Sequence, residues 1–355
     1  MPTSEQDFLA AIDRHFPAQP PCAGGVLLGR GDDCAVLDVA GPLCVSTDLF
    51  VEGAHFRRSY FSPADIGHKA LAAAASDLAA MGAAPVACTL SLVLPPDGPD
   101  GGPGGVDDAF LDELLAGMAA LSARLGLPLV GGDLSRGPAL ILDLAVFGRP
   151  GPAGRLLRRG GLRPGDQLVL IGEAGLARAG LLALEASGRA SIHRWPVATR
   201  AHLRPEPRLA EGQLLAGLPG VRALMDVSDG LARDIPRLLG LLGLPGLPGL
   251  GPVANANLGA DLTIDESLLH PEALAFFRSQ AGTHDRSPGQ TPVEAFVLGG
   301  EDYALLAGVD PSDPSGLSGV LAALPTARHI GTVTVTPGLR VNGEPFTQPG
   351  FDHFG

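Results

Sequence analysis

Short apolar runs alternate with amphipathic stretches along the whole chain. Runs of strand length predict strands over residues 26–28, 35–39, 43–47, 86–94, 139–147, 167–171, 294–298 and 303–309. Apolar positions at helical spacing predict helices over 63–81, 106–125, 177–186, 206–216, 231–241, 271–279 and 314–324. Strand and helix interleave, so the class is α/β or α+β. Residues 95–105 (PPDGPDGGPGG) are turn chemistry alone. Residues 241–256 repeat Gly-Leu-Pro, which prevents a helix and reads as a loop insertion with an apolar side. Between 149 and 164 the composition turns to Gly, Pro and Arg, few of which pack a core. The expected organisation is therefore two domains, 1–150 and 151–355, in keeping with about 150 residues per domain.

Composition narrows the function classes. The formal charge of −13 makes the chain a poor candidate for sequence-independent DNA binding, which needs a basic face against phosphates. No apolar run reaches the length of roughly 18 residues that spans a membrane. The N-terminus MPTSEQDFLAAIDRHF lacks the basic start and apolar stretch of a signal peptide, so a cytoplasmic protein is expected. The cysteines, Cys22, Cys34, Cys44 and Cys88, form no CxxC pair, which argues against a zinc site or structural disulfides. Lys69 is the only lysine, and Ala70 follows it. A GxxxxGK[ST] phosphate loop and a protein-kinase VAIK lysine are therefore both absent. Any nucleotide chemistry must take another route.

The acidic residues recur beside Gly or Ser. Asp33 ends Gly31-Asp32-Asp33, and Asp48 ends Ser46-Thr47-Asp48. Asp77 sits in an Ala-rich helix, and Asp133 ends Gly131-Gly132-Asp133. Asp226 and Asp229 belong to Asp-Val-Ser-Asp-Gly, and Glu301 to Gly299-Gly300-Glu301-Asp302. Several have ordinary structural readings: Asp229 as a helix cap, Gly-Asp-Asp as a turn. Asp77 is different. Ser62 and Pro63 open its helix and Gly82 ends it, so Asp77 stands in the last two turns, where the helix dipole disfavours an anion. A buried carboxylate there needs a compensating cation, and a metal ion answers that need better than Lys69, eight residues upstream.

If Asp33, Asp48, Asp77, Asp133, Asp226 and Asp229 converge, divalent cations must accompany them. Two like charges about 4 Å apart repel by about 4 kcal/mol at an effective dielectric near 20. Carboxylate and hydroxyl oxygens, without Cys or His, select Mg²⁺ over Zn²⁺, and Mg²⁺ usually comes with phosphates. The adjoining glycines let backbone N–H groups approach an anion. The expectation from the residues alone is an acidic, metal-bridged phosphate site.

The ordered motifs carry a resemblance. GDDCAVL (31–37), STDLFVEGAHF (46–56), HKALAAAASDLAAMGAAP (68–85) and LVGGDLSRG (129–137) are followed by LRRGGLRPGD (157–166), HLRPEPRLAEG (202–212), MDVSDGLARD (225–234) and LGGEDYALL (298–306). Together they resemble bacterial thiamine-monophosphate kinase over roughly residues 5–355. The resemblance implies a fold like aminoimidazole ribonucleotide synthetase, with an N-terminal α/β domain whose sheet forms a homodimer interface and a C-terminal α/β domain beside it. It implies ATP-dependent phosphorylation of thiamine monophosphate to thiamine diphosphate with Mg²⁺, and neither nucleic acid nor membrane as partner.

By motif, Asp33, Ser46, Thr47, Asp48, Asp77, Asp133, Asp226 and Asp229 resemble the family's metal ligands, with Asp77, Asp48 and Asp133 nearest the chemistry. Gly132, Asp133, Arg159 and Ser228 resemble ATP contacts, and His55 and Glu301 substrate contacts. Phe351 stands in Gly-Phe-Asp-His-Phe, where the family often has Tyr or Trp; it retains the stacking surface but loses the polar donor. Leu134 follows Asp133 where the family often has Thr. Three superfamily alternatives fit less well: aminoimidazole ribonucleotide synthetase matches the eight motifs less closely, a hydrogenase-maturation protein carries a Cys near its C-terminus, and a selenophosphate synthetase an N-terminal Cys followed by Lys. A non-catalytic nucleotide-binding dimer is the alternative of another class, and the completeness of the acidic set argues against it.

Overall fold

The computed structural model describes residues 5–16, 25–30, 34–95, 106–240, 258–280 and 291–348. The chain divides into two units, residues 1–78 with 83–150 and residues 79–82 with 151–355. Among the described residues no helix is long and apolar enough to cross a membrane.

In the first unit, α1 (Glu5–His15) precedes an antiparallel pair, β1 (Val26–Leu28) and β2 (Val36–Leu37). Then come β3 (Cys44–Val51), α2 (Pro63–Ala80), β4 (Ala83–Leu94), α3 (Asp108–Leu125), β5 (Leu129–Arg136) and β6 (Ile141–Pro150). The last four strands form a sheet ordered β3-β6-β4-β5, with β5 parallel to β4 and β6 antiparallel to both neighbours. The parallel β4–β5 pair requires a crossover, which α3 supplies.

Helix α2 starts where its capping chemistry predicts. The Asp65 N–H donates to Ser62 Oγ and the Ser62 N–H to Asp65 Oδ2, each at 3.2 Å, with Pro63 at the first helical position. Its Ala72–Ala75 run is buried. Elsewhere along the helix, Gly67 and Gly117 let α2 and α3 approach backbone to backbone. A Cβ at Gly67 would overlap the Leu114 carbonyl oxygen, and one at Gly117 that of Ala64.

The second unit carries β7 (Gln167–Ile171), α4 (Leu176–Ser187), α5 (Ser191–Arg194), α6 (Pro196–Leu203), α7 (Leu209–Ala216), β8 (Val221–Val227) and α8 (Leu231–Leu238). It continues with β9 (Gly259–Leu262), α9 (Pro271–Gln280), α10 (Pro292–Leu298), β10 (Ala304–Val309), α11 (Leu317–Ala323), β11 (Ala327–Thr334), β12 (Gly338–Val341) and β13 (Glu344–Pro345). Its sheet runs β13-β12-β9-β11-β7-β10-β8. Leu168, Leu170, Met225, Val227, Leu306, Ile330 and Val333 from these strands pack with Leu231, Ile235, Leu238 and Phe296 from helices α8 and α10. The long apolar runs of β7, β8 and β10 are buried along their length, apart from Gln167 and Arg222.

One predicted element changes type. Residues 294–298 read as a strand from their apolar run but lie in helix α10. The cause is local. Thr291 Oγ1 accepts from the Glu294 N–H, the Glu294 carboxylate accepts from the Thr291 N–H, and Pro292 opens the first turn. That reciprocal cap commits the segment to helix. The two loop expectations, 95–105 and 241–256, fall outside the described residues apart from Pro95.

Candidate active site

In the first unit the site residues hang on β3 and α2. Strand alternation turns Ser46, Asp48 and Phe50 to the partly covered face, while Val45, Thr47 and Leu49 are exposed on the other. The Ser46 hydroxyl donates to Asp77 Oδ2. Asp77 stands one turn before the end of α2, half-buried, in a last turn without a basic residue. The dipole conflict expected from the sequence is therefore present, and a neutral hydroxyl relieves only part of it. Thr47 is carried away from Ser46 and Asp48 by the pleat.

In register, Asp48 pairs with Leu144, Leu144 with Leu90, and Leu90 with Gly132. A Cβ at Gly132 would collide with the Leu90 backbone, so only glycine fits this approach of β5 to β4. Asp133, next along β5, pairs with Ser91 and is exposed. His55 lies in the turn after β3. Its Nδ1 accepts the Val51 N–H at 3.0 Å, and its ring lies 5.7 Å from that of Phe50. An accepting Nδ1 leaves Nε2 as the protonated nitrogen of the neutral ring.

In the second unit, Asp226 is buried at the end of β8, and Ser228 and Asp229 follow in the turn into α8. Gly230 precedes the helix with φ +94°, a value that side chains disfavour. Asp229 does not cap α8. It pairs with Arg237 Nη1 at 2.6 Å, with Arg233 Nε at 3.7 Å. The residue that organises the turn is Asp234, which the sequence analysis did not single out. Its Oδ2 accepts the N–H groups of Ser228 at 3.1 Å and Asp229 at 3.0 Å, and its Oδ1 meets Arg237 Nη1 at 2.9 Å. Burial, then the charges of Asp226 and Asp229, push the Asp234 carboxyl up to about 7. The signal was available: the motif MDVSDGLARD ends on this residue.

The Gly-Gly-Glu-Asp turn packs directly against this loop. Glu301 N–H donates to the Ser228 carbonyl at 2.8 Å and Tyr303 N–H to that of Val227 at 3.0 Å. A Cβ at Gly230 would lie 2.7 Å from the Leu298 oxygen. Glu301 and Tyr303 both hold left-handed backbone, with φ +63° and +48°. Such residues cost about 1–3 kcal/mol each and persist only where the surroundings over-determine them. Glu301 Oε2 lies 3.2 Å from His202 Nδ1. Arg178 is shifted down by burial, with the Glu301 charge opposing.

Arg159 is exposed between two backbone anchors: Leu224 N–H to Arg158 O at 3.2 Å, and Gly160 N–H to Leu238 O at 2.8 Å. The segment thereby follows β8 and the end of α8. Asp33 and Phe351 lie outside the described residues. Among the described residues no three His, Cys, Asp or Glu side chains form a ready-made metal-ligand group. The donors of the candidate set are nonetheless all oxygens, which suits a hard cation.

Comparison with known proteins gives consistent matches. Residues 31–149 match the family model "AIR synthase related protein, N-terminal domain". The thiamine-monophosphate kinase of Salmonella typhimurium strain LT2 is 35% identical over 300 residues, covering 83% of this chain and 80% of that protein. The thiamine-monophosphate kinase of Synechococcus elongatus is 31% identical over 362 residues, covering 99% and 96%. The crystal structure of thiamine-monophosphate kinase from Stenotrophomonas maltophilia K279a superposes with a TM-score of 0.71 at 29% identity, covering 91% and 92%.

Proposed function

Because the chain belongs to the thiamine-monophosphate kinase family, we propose that it transfers the γ-phosphoryl group of ATP to thiamine monophosphate, giving thiamine diphosphate. Its fold is that of the AIR synthase-related proteins. The observation that carries the proposal is the likeness to the Synechococcus kinase, which runs through nearly the whole length of both chains.

The acceptor is itself a phosphate monoester. Its second pKa is about 6, so it is largely dianionic at pH 7 and needs no strong general base. The transfer is therefore direct and in line, with no phosphoenzyme. The obstacle is bringing two polyanions together. Mg²⁺, when bound, supplies neutralising charge and orients the phosphate oxygens. Asp33, Asp48, Asp77, Asp133, Asp226 and Asp229, with the Ser46 side chain and, since its side chain faces the other way, the main-chain oxygen of Thr47, are the proposed ligands, and Asp77 is the central one. The Ser46–Asp77 hydrogen bond and the hard oxygen donors support that assignment. Gly132, Asp133, Arg159 and Ser228 contact ATP, the exposed Arg159 adding a guanidinium for phosphate oxygens. His55, Glu301 and Phe351 contact thiamine monophosphate.

The protein works in the cytoplasm as a homodimer. The outer face of β3 supports this, with Val45 57% and Leu49 59% exposed on an apolar strand that a second copy would cover. An assay with ATP, Mg²⁺ and thiamine monophosphate tests the function: thiamine diphosphate must form, and thiamine in place of the monophosphate must give none. Chirally labelled γ-phosphate tests the single step, which requires inversion at phosphorus; retention refutes it.

A further inference from the structure

The carboxylate assigned above to thiamine monophosphate is not held by its own backbone preference. Glu301 sits at φ +63° and Tyr303 at φ +48°, so the chain on both sides of Asp302 is in a conformation it would leave if released. Asp302 ties the turn down. Its Oδ2 accepts the Gly175 N–H and its Oδ1 the Ala177 N–H, each at 2.7 Å, at the start of α4. These donors open the helix and have no partner within it, so one carboxylate clamps the turn to α4 at two points. The turn is also sewn to the Ser228 loop by the Glu301 and Tyr303 N–H groups. The side chain of Glu301 has its own support: His202 from α6, 1% exposed, places Nδ1 3.2 Å from Oε2. Glu301 remains 27% exposed, open enough to meet a ligand.

We infer that Asp302 and His202 are positioning residues for thiamine monophosphate recognition: Asp302 fixes the strained backbone of Glu301, and His202 fixes its carboxylate. The inference rests on the function proposed above. Neither residue touches the reacting atoms. Each acts through Glu301, whose negative charge suits the positively charged thiazolium of thiamine. Misplacement of Glu301 weakens thiamine monophosphate binding while ATP binding, which uses other residues, is retained.

Asp302→Asn keeps one acceptor oxygen and places an amide N–H against the other helix donor. It raises KM for thiamine monophosphate on the order of tenfold, while KM for ATP stays within about twofold. His202→Ala has the same selective effect, and His202→Asn, which retains a donor near the Nδ1 position, restores most of the lost affinity. If Asp302→Asn does not fold, the His202 pair decides. Unchanged KM for thiamine monophosphate, or equal losses for both substrates with no rescue by Asn, overturns the positioning role. Wild-type protein that makes no thiamine diphosphate instead overturns the function itself, so the two failures are distinguishable.

Discussion

The Ser46 hydroxyl donates a hydrogen bond to the Asp77 carboxylate, tying β3 to the last turn of α2. This link joins two residues 31 positions apart and puts an anion at the negative end of a helix dipole. The cation proposed above would offset that anion.

Asp77→Ala therefore leaves a folded protein but abolishes turnover. The carboxylate stands at an unfavourable helix position, in a last turn without a basic residue. The expected loss in kcat is on the order of 10³-fold or more, with a melting temperature equal to or above that of the wild type. Steady-state kinetics and thermal unfolding check both parts, and a near-normal rate refutes the ligand role.

Gly117→Ala runs against the usual rule. Ala normally stabilises a helix interior over Gly by about 1 kcal/mol. Here the added methyl would overlap the Ala64 carbonyl where α3 crosses α2. A net loss of about 1–3 kcal/mol is expected from urea unfolding. A gain in stability contradicts the close crossing.

Asp302 gives a pH signature. Burial raises its carboxyl from 3.8 to about 7 in the folded protein. Between about pH 4 and pH 7 the folded state holds a proton that the unfolded chain has released. Stability from this group therefore falls as pH rises through that window, by at most about 1.4 kcal/mol per pH unit. Relative to Asp302→Asn, wild-type stability should decline from pH 4 to pH 7. A difference that is flat or rises across the window contradicts the assignment.

The thiols should separate by burial. Cys34 is exposed, whereas burial pushes Cys88 up to about 12. Thiolate is the reactive form. A disulfide reagent on native protein, read by peptide mapping, should modify Cys34 rapidly and Cys88 only in denaturant. Rapid native modification of Cys88 contradicts its burial.

The interleaved strands and helices and the acidic motifs were legible in the sequence because local chemistry writes them. Pro63 with Ser62, and Gly beside Asp, mark α2 and the turns directly. Residues 294–298 misled because their apolar run suits either element, and the Thr291–Glu294 cap outside that run decided it. Strand β5 was not predicted because Gly131 and Gly132 have low strand propensity, and pairing with β4 overrides it. Asp234 and Asp302 stood inside quoted motifs, yet their work depends on tertiary placement. One accepts N–H groups five and six residues earlier, the other N–H groups more than a hundred residues away. No spacing rule identifies the second kind.

The central claim is that aspartates hold magnesium while ATP phosphorylates thiamine monophosphate. The most direct measurement is thiamine diphosphate formation as a function of Mg²⁺ concentration, for wild type, Asp77→Ala and Asp226→Asn. The account predicts product in the wild type that rises with Mg²⁺ and vanishes with chelator, and little in either variant. Product formation indifferent to chelator, or equal in all three proteins, would contradict it.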